Sequence, residues 1–374
     1  MKQIKVVFFI YRMGSGGAAR TFLNIINNLD RQKFSPLLVT LDYEADYESY
    51  LKEDIRFIKL DTKRLRSAIF PLAKLIRKEK ADIVFSTIPN YNTIAILARL
   101  FSFTKAKNVV REAAYLGGDP KTDAKLKLYG MLYGFSSRVI ALSEGVKANI
   151  VKRYNVKDRN INVIYNPIDI EGIEAAAERA EPIAEEAGLF TDDTKTIVTA
   201  GRLVDDKDHV TLLEAFAKVK ENVASRLIIM GEGELEQTLK QKASSLGVAD
   251  SVHFIGFQKN PYFFLKKSDV FVLSSKREGF GHVLGEALAV GTPIVSTDCK
   301  PGAQEVLDNG KYGSMCSVGD AKEMADKIVD ILTIDQASRE QIVQSGYERA
   351  QQFAAEKIVK QYEAVFENVL EPKN

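Results

Sequence analysis

The stretch Arg277 to Val290 reads Arg-Glu-Gly-Phe-Gly-His-Val-Leu-Gly-Glu-Ala-Leu-Ala-Val and carries two glutamates, Glu278 and Glu286, eight positions apart. Before it, the β-branched and aromatic run Val270 to Leu273 reads as a buried strand; after it, Gly291 and Pro293 end a helix in the usual order. Glu278 is therefore expected in a loop and Glu286 on the helix that follows. With a helix start near Gly281, residues Val283, Ala287 and Val290 form one apolar face, and Glu286 falls beside its edge. A carboxylate there is costly unless it is hydrogen-bonded. Backbone N–H groups of Phe280, Gly281, His282 and Val283 would point out of the helix start at the positive end of its dipole. A ligand carrying both phosphate and hydroxyls suits that combination, although two glutamates at this spacing in a charged protein are more often solvated surface.

A second candidate set lies upstream. Thr196 to Ala200 reads as a strand and is followed by Gly201-Arg202-Leu203 and Lys207. Arg202 grips phosphate oxygens through two N–H groups and Lys207 adds a point charge, if a turn brings them together. The end of a parallel strand is where such sheets bind ligands. The next strand, Leu227 to Met230, opens into the glycine turn Gly231-Glu232-Gly233. Near the start of the chain the apolar run Ile4 to Ile10 feeds Gly14-Ser15-Gly16-Gly17. From there Ala18, Phe22, Ile25, Ile26 and Leu29 recur at helical spacing, so a glycine loop opens a helix and makes an anion site. Gly14-x-Gly16-x-x-Ala19 fits the dinucleotide fingerprint poorly. Tyr11, Arg12 and Met13 intervene after the strand, and Asp42, the possible ribose ligand, sits in an acidic run.

The elements that must position these residues alternate along the chain. Leu37 to Leu41, Arg56 to Leu60, Asp82 to Ser86, Asn108 to Arg111, Arg138 to Leu142 and Ile161 to Tyr165 read as strands, several with helical patterns between them. Asn166-Pro167 stops that series, an Ala/Glu-rich stretch to about Leu189 reads as a linker helix, and a second alternation starts at Thr196. With 374 residues, the chain is longer than one core usually supports. The expectation is α/β, with two Rossmann-like, doubly wound parallel-sheet domains over 1–170 and 171–355. Residues 356–374 form a last helix with Ile358, Tyr362, Val365 and Val369 on one face.

Composition narrows the function. An apolar fraction of 45% and a charged fraction of 27% describe an ordinary globular chain. The apolar run Val6 to Tyr11 is too short for a signal-peptide core and no stretch approaches a membrane span, so a cytoplasmic location is expected. Cys299 and Cys316 lack metal-site spacing, and His209, His253 and His282 are scattered, so no metal is expected. Net charge is +2, but residues 1–170 hold 29 basic and 16 acidic side chains, +13, leaving −11 for the remainder. That asymmetry points to an anionic surface or partner for the first half. Within it Lys63 to Lys80 mixes seven basic residues with Leu65, Ile69, Phe70, Leu72, Leu75 and Ile76. The plain reading is a helix with a solvated basic face; the sharper one is a membrane-surface segment. No nucleic-acid module accompanies the charge.

Taken together, Gly16-Gly17, Gly201-Arg202, Lys207, Gly231-x-Gly233, Glu278, Phe280-Gly281, Glu286 and Gly291-Thr292-Pro293 follow an order that resembles the retaining glycosyltransferases of family 4, which have the GT-B fold. The resemblance covers nearly the whole chain. It implies two domains facing across a cleft, with the last helix crossing back to the first. It also implies transfer of a sugar from a nucleotide-sugar, commonly UDP-linked in this family, to a hydroxyl of a lipid-linked or polysaccharide acceptor.

In that reading Arg202 and Lys207 bind the donor diphosphate and Glu278 supports the donor sugar. Glu286 accepts from the ribose hydroxyls, and the backbone of Phe280, Gly281, His282 and Val283 supplies dipoles. Gly16, Gly17, Gly201, Gly231 and Gly233 let backbone approach the donor. Gly16 to Arg20 is similar to the family's Gly-Gly-Ala-x-Arg opening, with Ala19 where an acidic residue is common. Many members carry a histidine near Arg111-Glu112-Ala113, and this chain has none before His209. Arg111 or Glu112 is then the expected sugar contact, as Arg20 is for acceptor or donor. That departure leaves room for a noncatalytic nucleotide-sugar-binding subunit or a sugar-nucleotide epimerase of the same fold. No metal cofactor enters the scheme, and the implied location is peripheral, at the inner face of the cell membrane.

Overall fold

The computed structural model describes residues 3–14, 16–179 and 188–372, without the side chain of Asp46. The end of the expected linker helix, 180–187, and Ser15 of the first glycine loop lie outside the described residues. Two compact units emerge: Met1–Pro167 together with Ala355–Asn374, and Ile168–Ala354.

The first unit is built on seven strands: β1 (Ile4–Phe9), β2 (Phe34–Leu41), β3 (Arg56–Leu60), β4 (Ile83–Thr87), β5 (Lys107–Glu112), β6 (Arg138–Ala141) and β7 (Ile161–Val163). All pair in parallel, in the order β3-β2-β1-β4-β5-β6-β7. A parallel sheet is covered on both faces, so its strands are apolar throughout and their side chains alternate between two cores. Val6 and Phe8 pack with α1 (Gly17–Asn28) and with the last helix, Ala355–Asn368, through Ile358, Tyr362 and Phe366. Val7 and Phe9 point the other way, into a core shared with α2 (Ile69–Glu79) and α3 (Pro89–Ser102). Beyond α3 lies α4 (Pro120–Tyr133). The order reverses between β1 and β4, so the C-terminal ends of these two strands form the unit's switch point.

In the second unit β8 (Lys195–Ala200), β9 (Ser225–Met230), β10 (Val252–Phe254), β11 (Val270–Leu273), β12 (Ile294–Thr297) and β13 (Ser314–Cys316) make a parallel sheet in the order β10-β9-β8-β11-β12-β13. Its switch point lies between β8 and β11, where Ile197 pairs with Val270.

Two expectations need correction. Lys63 to Lys80 is not one helix: a 3-10 turn, Leu65–Ala68, precedes α2, and Lys80 closes α2 in the left-handed conformation at φ 53°. The helix after Glu278, His282–Ala289, has no single apolar stripe, because every residue from Leu284 to Ala289 is buried, Glu286 among them. A short helix enclosed on most sides need not be amphipathic.

Candidate active site

The residues singled out in the second unit gather at the C-terminal ends of β8 and β11. After β8 the chain turns at Gly201, and Leu203, fully buried, anchors the loop while its N–H donates to the Glu232 carbonyl. A 3-10 turn at Asp205–Lys207 then returns the side chain of Lys207 toward β11. Its ammonium pairs with Oε1 of Glu278, which also accepts from the Ser275 hydroxyl at 2.9 Å. The Ser274 hydroxyl donates to the Lys207 carbonyl at 2.8 Å, and the Glu278 carbonyl accepts from the Gly302 N–H at 3.0 Å. The lysine and the glutamate, 71 positions apart, are thus joined across the switch point of the sheet. Side-chain exposures of 23% and 15% leave both within reach of a ligand while holding their geometry.

Backbone contact between neighbouring loops makes this compactness possible. A Cβ at Gly231, where φ is +133°, would lie 1.9 Å from the Gly201 carbonyl oxygen; one at Gly302 would lie 2.7 Å from the Phe280 nitrogen. No side chain fits at either position. Farther out, Asp205 pairs with Lys276 at 2.8 Å and Asp206 with Arg277 at 3.0 Å, lacing the two loops together. These exposed pairs contribute little to stability but fix register. Arg202 is exposed and makes no ion pair among the described residues.

Phe280 is buried edge-on against Phe353 at 5.2 Å, so its side chain anchors the loop before the helix start at His282. His282 and Val283 are half-buried, whereas Glu286, one turn on, is 4% exposed. Gly233 is exposed on the adjoining loop. Beside the ion pair, burial and the Glu278 charge push the Cys299 thiol up to about 11, which leaves it inert at neutral pH. His209, at the start of helix His209–Lys220, is held neutral by burial and by Lys207, its value lowered to about 4. Among the described residues no group of three His, Cys, Asp or Glu is disposed to hold a metal.

In the first unit Gly16 is the N-cap of α1 and Gly17 its first residue, at the end of β1. Arg20 on α1 donates to the Tyr47 hydroxyl through Nε at 3.0 Å and lies over its ring. Arg111 and Glu112 correct the sequence reading. Both are 0% exposed. The Arg111 guanidinium donates to Thr87 at 3.1 Å, to Tyr362 at 3.2 Å and to the Asn166 side chain. Glu112 accepts from Asn92 at 3.0 Å, Tyr154 at 3.2 Å and the Tyr133 hydroxyl. Burial raises its carboxyl to about 7 against these hydrogen bonds. A direct sugar contact is not the role this geometry supports; both side chains are enclosed by protein partners and knit the end of β5 to its surroundings. Sequence reasoning missed those partners because they are distant along the chain. Ser275 was within reach of it, being three residues before Glu278.

Solved structures share this architecture along the whole chain. A glycosyltransferase from Rickettsia africae matches 100% of this chain and 100% of its own at a TM-score of 0.84 and 18% identity. Anabaena HepE, solved in complex with UDP, matches 98% of this chain and 100% of its own at a TM-score of 0.82 and 19% identity. Two doubly wound parallel units with these neighbours define a GT-B fold. The family model described as Glycosyltransferase Family 4 matches residues 15–171, and that described as Glycosyl transferases group 1 matches residues 181–349. N-acetyl-alpha-D-glucosaminyl L-malate synthase of Bacillus anthracis is 30% identical over 80% of this chain and 78% of its own. N-acetylgalactosamine-N,N'-diacetylbacillosaminyl-diphospho-undecaprenol 4-alpha-N-acetylgalactosaminyltransferase of Campylobacter jejuni is 29% identical over 88% and 91%. The chain belongs to the family 4 glycosyltransferases.

Proposed function

We propose that this glycosyltransferase moves a sugar, with retention at the anomeric carbon, from a UDP-linked donor to a hydroxyl of a lipid-linked or polysaccharide acceptor in cell-envelope glycan synthesis. The observation that carries the reading is the Lys207–Glu278 pair spanning the switch point between β8 and β11, with the unpaired Arg202 guanidinium on the same loop. As the donor's glycosidic bond breaks, negative charge accumulates on the departing diphosphate, and fixed cations lower the barrier most. Lys207 and Arg202 take that charge. Glu278 holds Lys207 in place and supports the developing positive charge on the sugar ring, while the helix start at His282 adds its dipole. Glu286 is assigned to the ribose hydroxyls, and Gly16, Gly17, Gly201, Gly231 and Gly233 to close backbone approach. No metal is needed in this scheme.

UDP is favoured because HepE was solved with UDP and with UDP-glucose. A lipid-linked acceptor is favoured by the diphospho-undecaprenol in the name of the Campylobacter relative. The excess of 13 basic charges over residues 1–170 would draw the first unit to an anionic membrane surface at the cytoplasmic side. Incubation of UDP-glucose, UDP-N-acetylglucosamine or UDP-N-acetylgalactosamine with a lipid-linked saccharide offering the acceptor hydroxyl, with release of UDP followed over time, tests the reaction. Nuclear magnetic resonance of the product reads the anomer. Release of UDP with an α-linked product is expected. A β-linked product excludes retention, and no release from any of the three donors overturns the choice of donor.

A further inference from the structure

Six of the large apolar side chains exposed in the described structure fall on one stretch of the first unit. Phe70 is 69% exposed, Phe101 46% and Phe103 82%; Leu128 is 56%, Met131 72% and Phe135 56%. They belong to α2, α3 and α4 or to the residues just after them. These three helices pack side by side, with α2 and α3 on the sheet face opposite α1. Contacts link one helix to the next. The Phe70 and Phe101 rings are 5.5 Å apart, the Arg77 guanidinium lies 5.8 Å from the Phe103 ring, and Arg99 of α3 donates to the Phe135 carbonyl at 2.6 Å. α4 is apolar on both sides: Leu126, Tyr129 and Tyr133 are buried against the unit, while Leu128 and Met131 face outward. An ordinary surface helix would be polar there.

The charge on this surface is one-sided. The three helices contain seven Lys and Arg and only two carboxylates, Glu79 and Asp123. Both are already paired, with Arg56 at 2.8 Å and Arg153 at 2.7 Å. Lys74, Arg77, Lys78, Lys121, Lys125 and Lys127 are exposed and make no ion pair among the described residues, with Asp119 at the start of α4 a further carboxylate close in sequence to Lys121. Long basic side chains bury their stems and keep their heads at an interface. Apolar tips between such side chains, spread over three helices in contact, fit an anionic surface with an apolar interior.

We propose that the α2–α3–α4 face docks on an anionic lipid bilayer by inserting Phe70, Phe101, Phe103 and Met131 below the headgroups while the surrounding Lys and Arg engage the lipid phosphates. This rests on the membrane part of the function proposed above and replaces a purely electrostatic attraction with insertion. No helix among the described residues is long and apolar enough to cross a membrane. Each basic residue held near the surface raises partitioning roughly fivefold, an effect that salt screens; the inserted rings supply a part that salt does not remove.

The chain contains no tryptophan, so Phe103→Trp and Met131→Trp each install a single reporter. Each variant is mixed with vesicles of phosphatidylglycerol and phosphatidylcholine, with and without bromine on the acyl chains, and with vesicles of phosphatidylcholine alone. Insertion predicts a blue shift and quenching by the brominated chains on the anionic vesicles, part of it persisting at about 0.5 M salt. A Phe70→Ser, Phe103→Ser, Met131→Ser variant should lose at least about tenfold in partitioning while its UDP affinity, measured as a check of folding, is unchanged. Salt-reversible binding without quenching overturns insertion and leaves electrostatic attraction standing. Absence of binding to anionic vesicles overturns both. Equal quenching on neutral vesicles overturns the part assigned to the basic side chains.

Discussion

Replacing Glu112 by Gln should remove a loss of stability that the parent suffers as pH rises from about 4.5 to about 7. Burial lifts the Glu112 carboxyl from an ordinary 4.5 to about 7, so the folded chain holds this proton more tightly than the unfolded chain does. A carboxyl raised in this way contributes no penalty below about 4.5, where it is neutral in both states. It destabilises progressively as pH rises from 4.5 to 7, and the full penalty holds above 7. A shift of that size corresponds to about 3 kcal/mol, most of it acquired between pH 5 and pH 8. Glutamine keeps an acceptor for Asn92 and Tyr133 and offers a donor to the Tyr154 hydroxyl, without a charge to desolvate. The difference in melting temperature between parent and Glu112→Gln should therefore swing by roughly 5 to 10 °C in favour of the variant from pH 5 to pH 8. Thermal unfolding followed by circular dichroism at both pH values reads it. A difference that does not change with pH would mean that Glu112 is ionised throughout and that its three hydrogen bonds offset the burial.

The two glutamates should separate. Glu286→Ala is expected to weaken UDP itself, whereas Glu278→Ala should mainly slow transfer, since Glu278 acts on the sugar and through Lys207; loss of UDP binding alone in both variants would refute that division. Gly231→Ala should destabilise the second unit by more than about 2 kcal/mol, because the added methyl meets the Gly201 carbonyl at 1.9 Å on a backbone at φ +133°. Urea unfolding checks this, and an unchanged midpoint would refute it.

Much of the fold was legible because buried parallel strands are unbroken apolar runs. Val270 to Leu273 and the apolar centre Ile83 to Phe85 of the strand read at Asp82 to Ser86 stand out between turn residues, and all of these apolar residues are buried, although β4 itself runs one residue later, over Ile83–Thr87. Lys207 and Glu278 could each be assigned to a strand end. Their pairing could not be read, because it depends on the strand order that places β8 beside β11. Arg111 and Glu112 misled for a related reason. A charged pair at a strand end looks like a site, and what encloses it comes from far away: Tyr362 lies 251 positions from Arg111, and Tyr154 lies 42 from Glu112. The exposed aromatic rings of α2 and α3 were also hidden, since Phe70 reads as a core residue in the pattern of Lys63 to Lys80 until the packing of α3 shows which face is covered.

The central claim is that the donor's diphosphate is held by the two cations after β8. Calorimetric titration of UDP into the parent, Arg202→Ala and Lys207→Ala tests it most directly. Loss of one charged hydrogen bond costs about 1.5 to 3 kcal/mol, so each variant should bind UDP roughly 10- to 150-fold more weakly. If both variants fold as the parent does and bind UDP as tightly, the diphosphate lies elsewhere and the assignment is wrong.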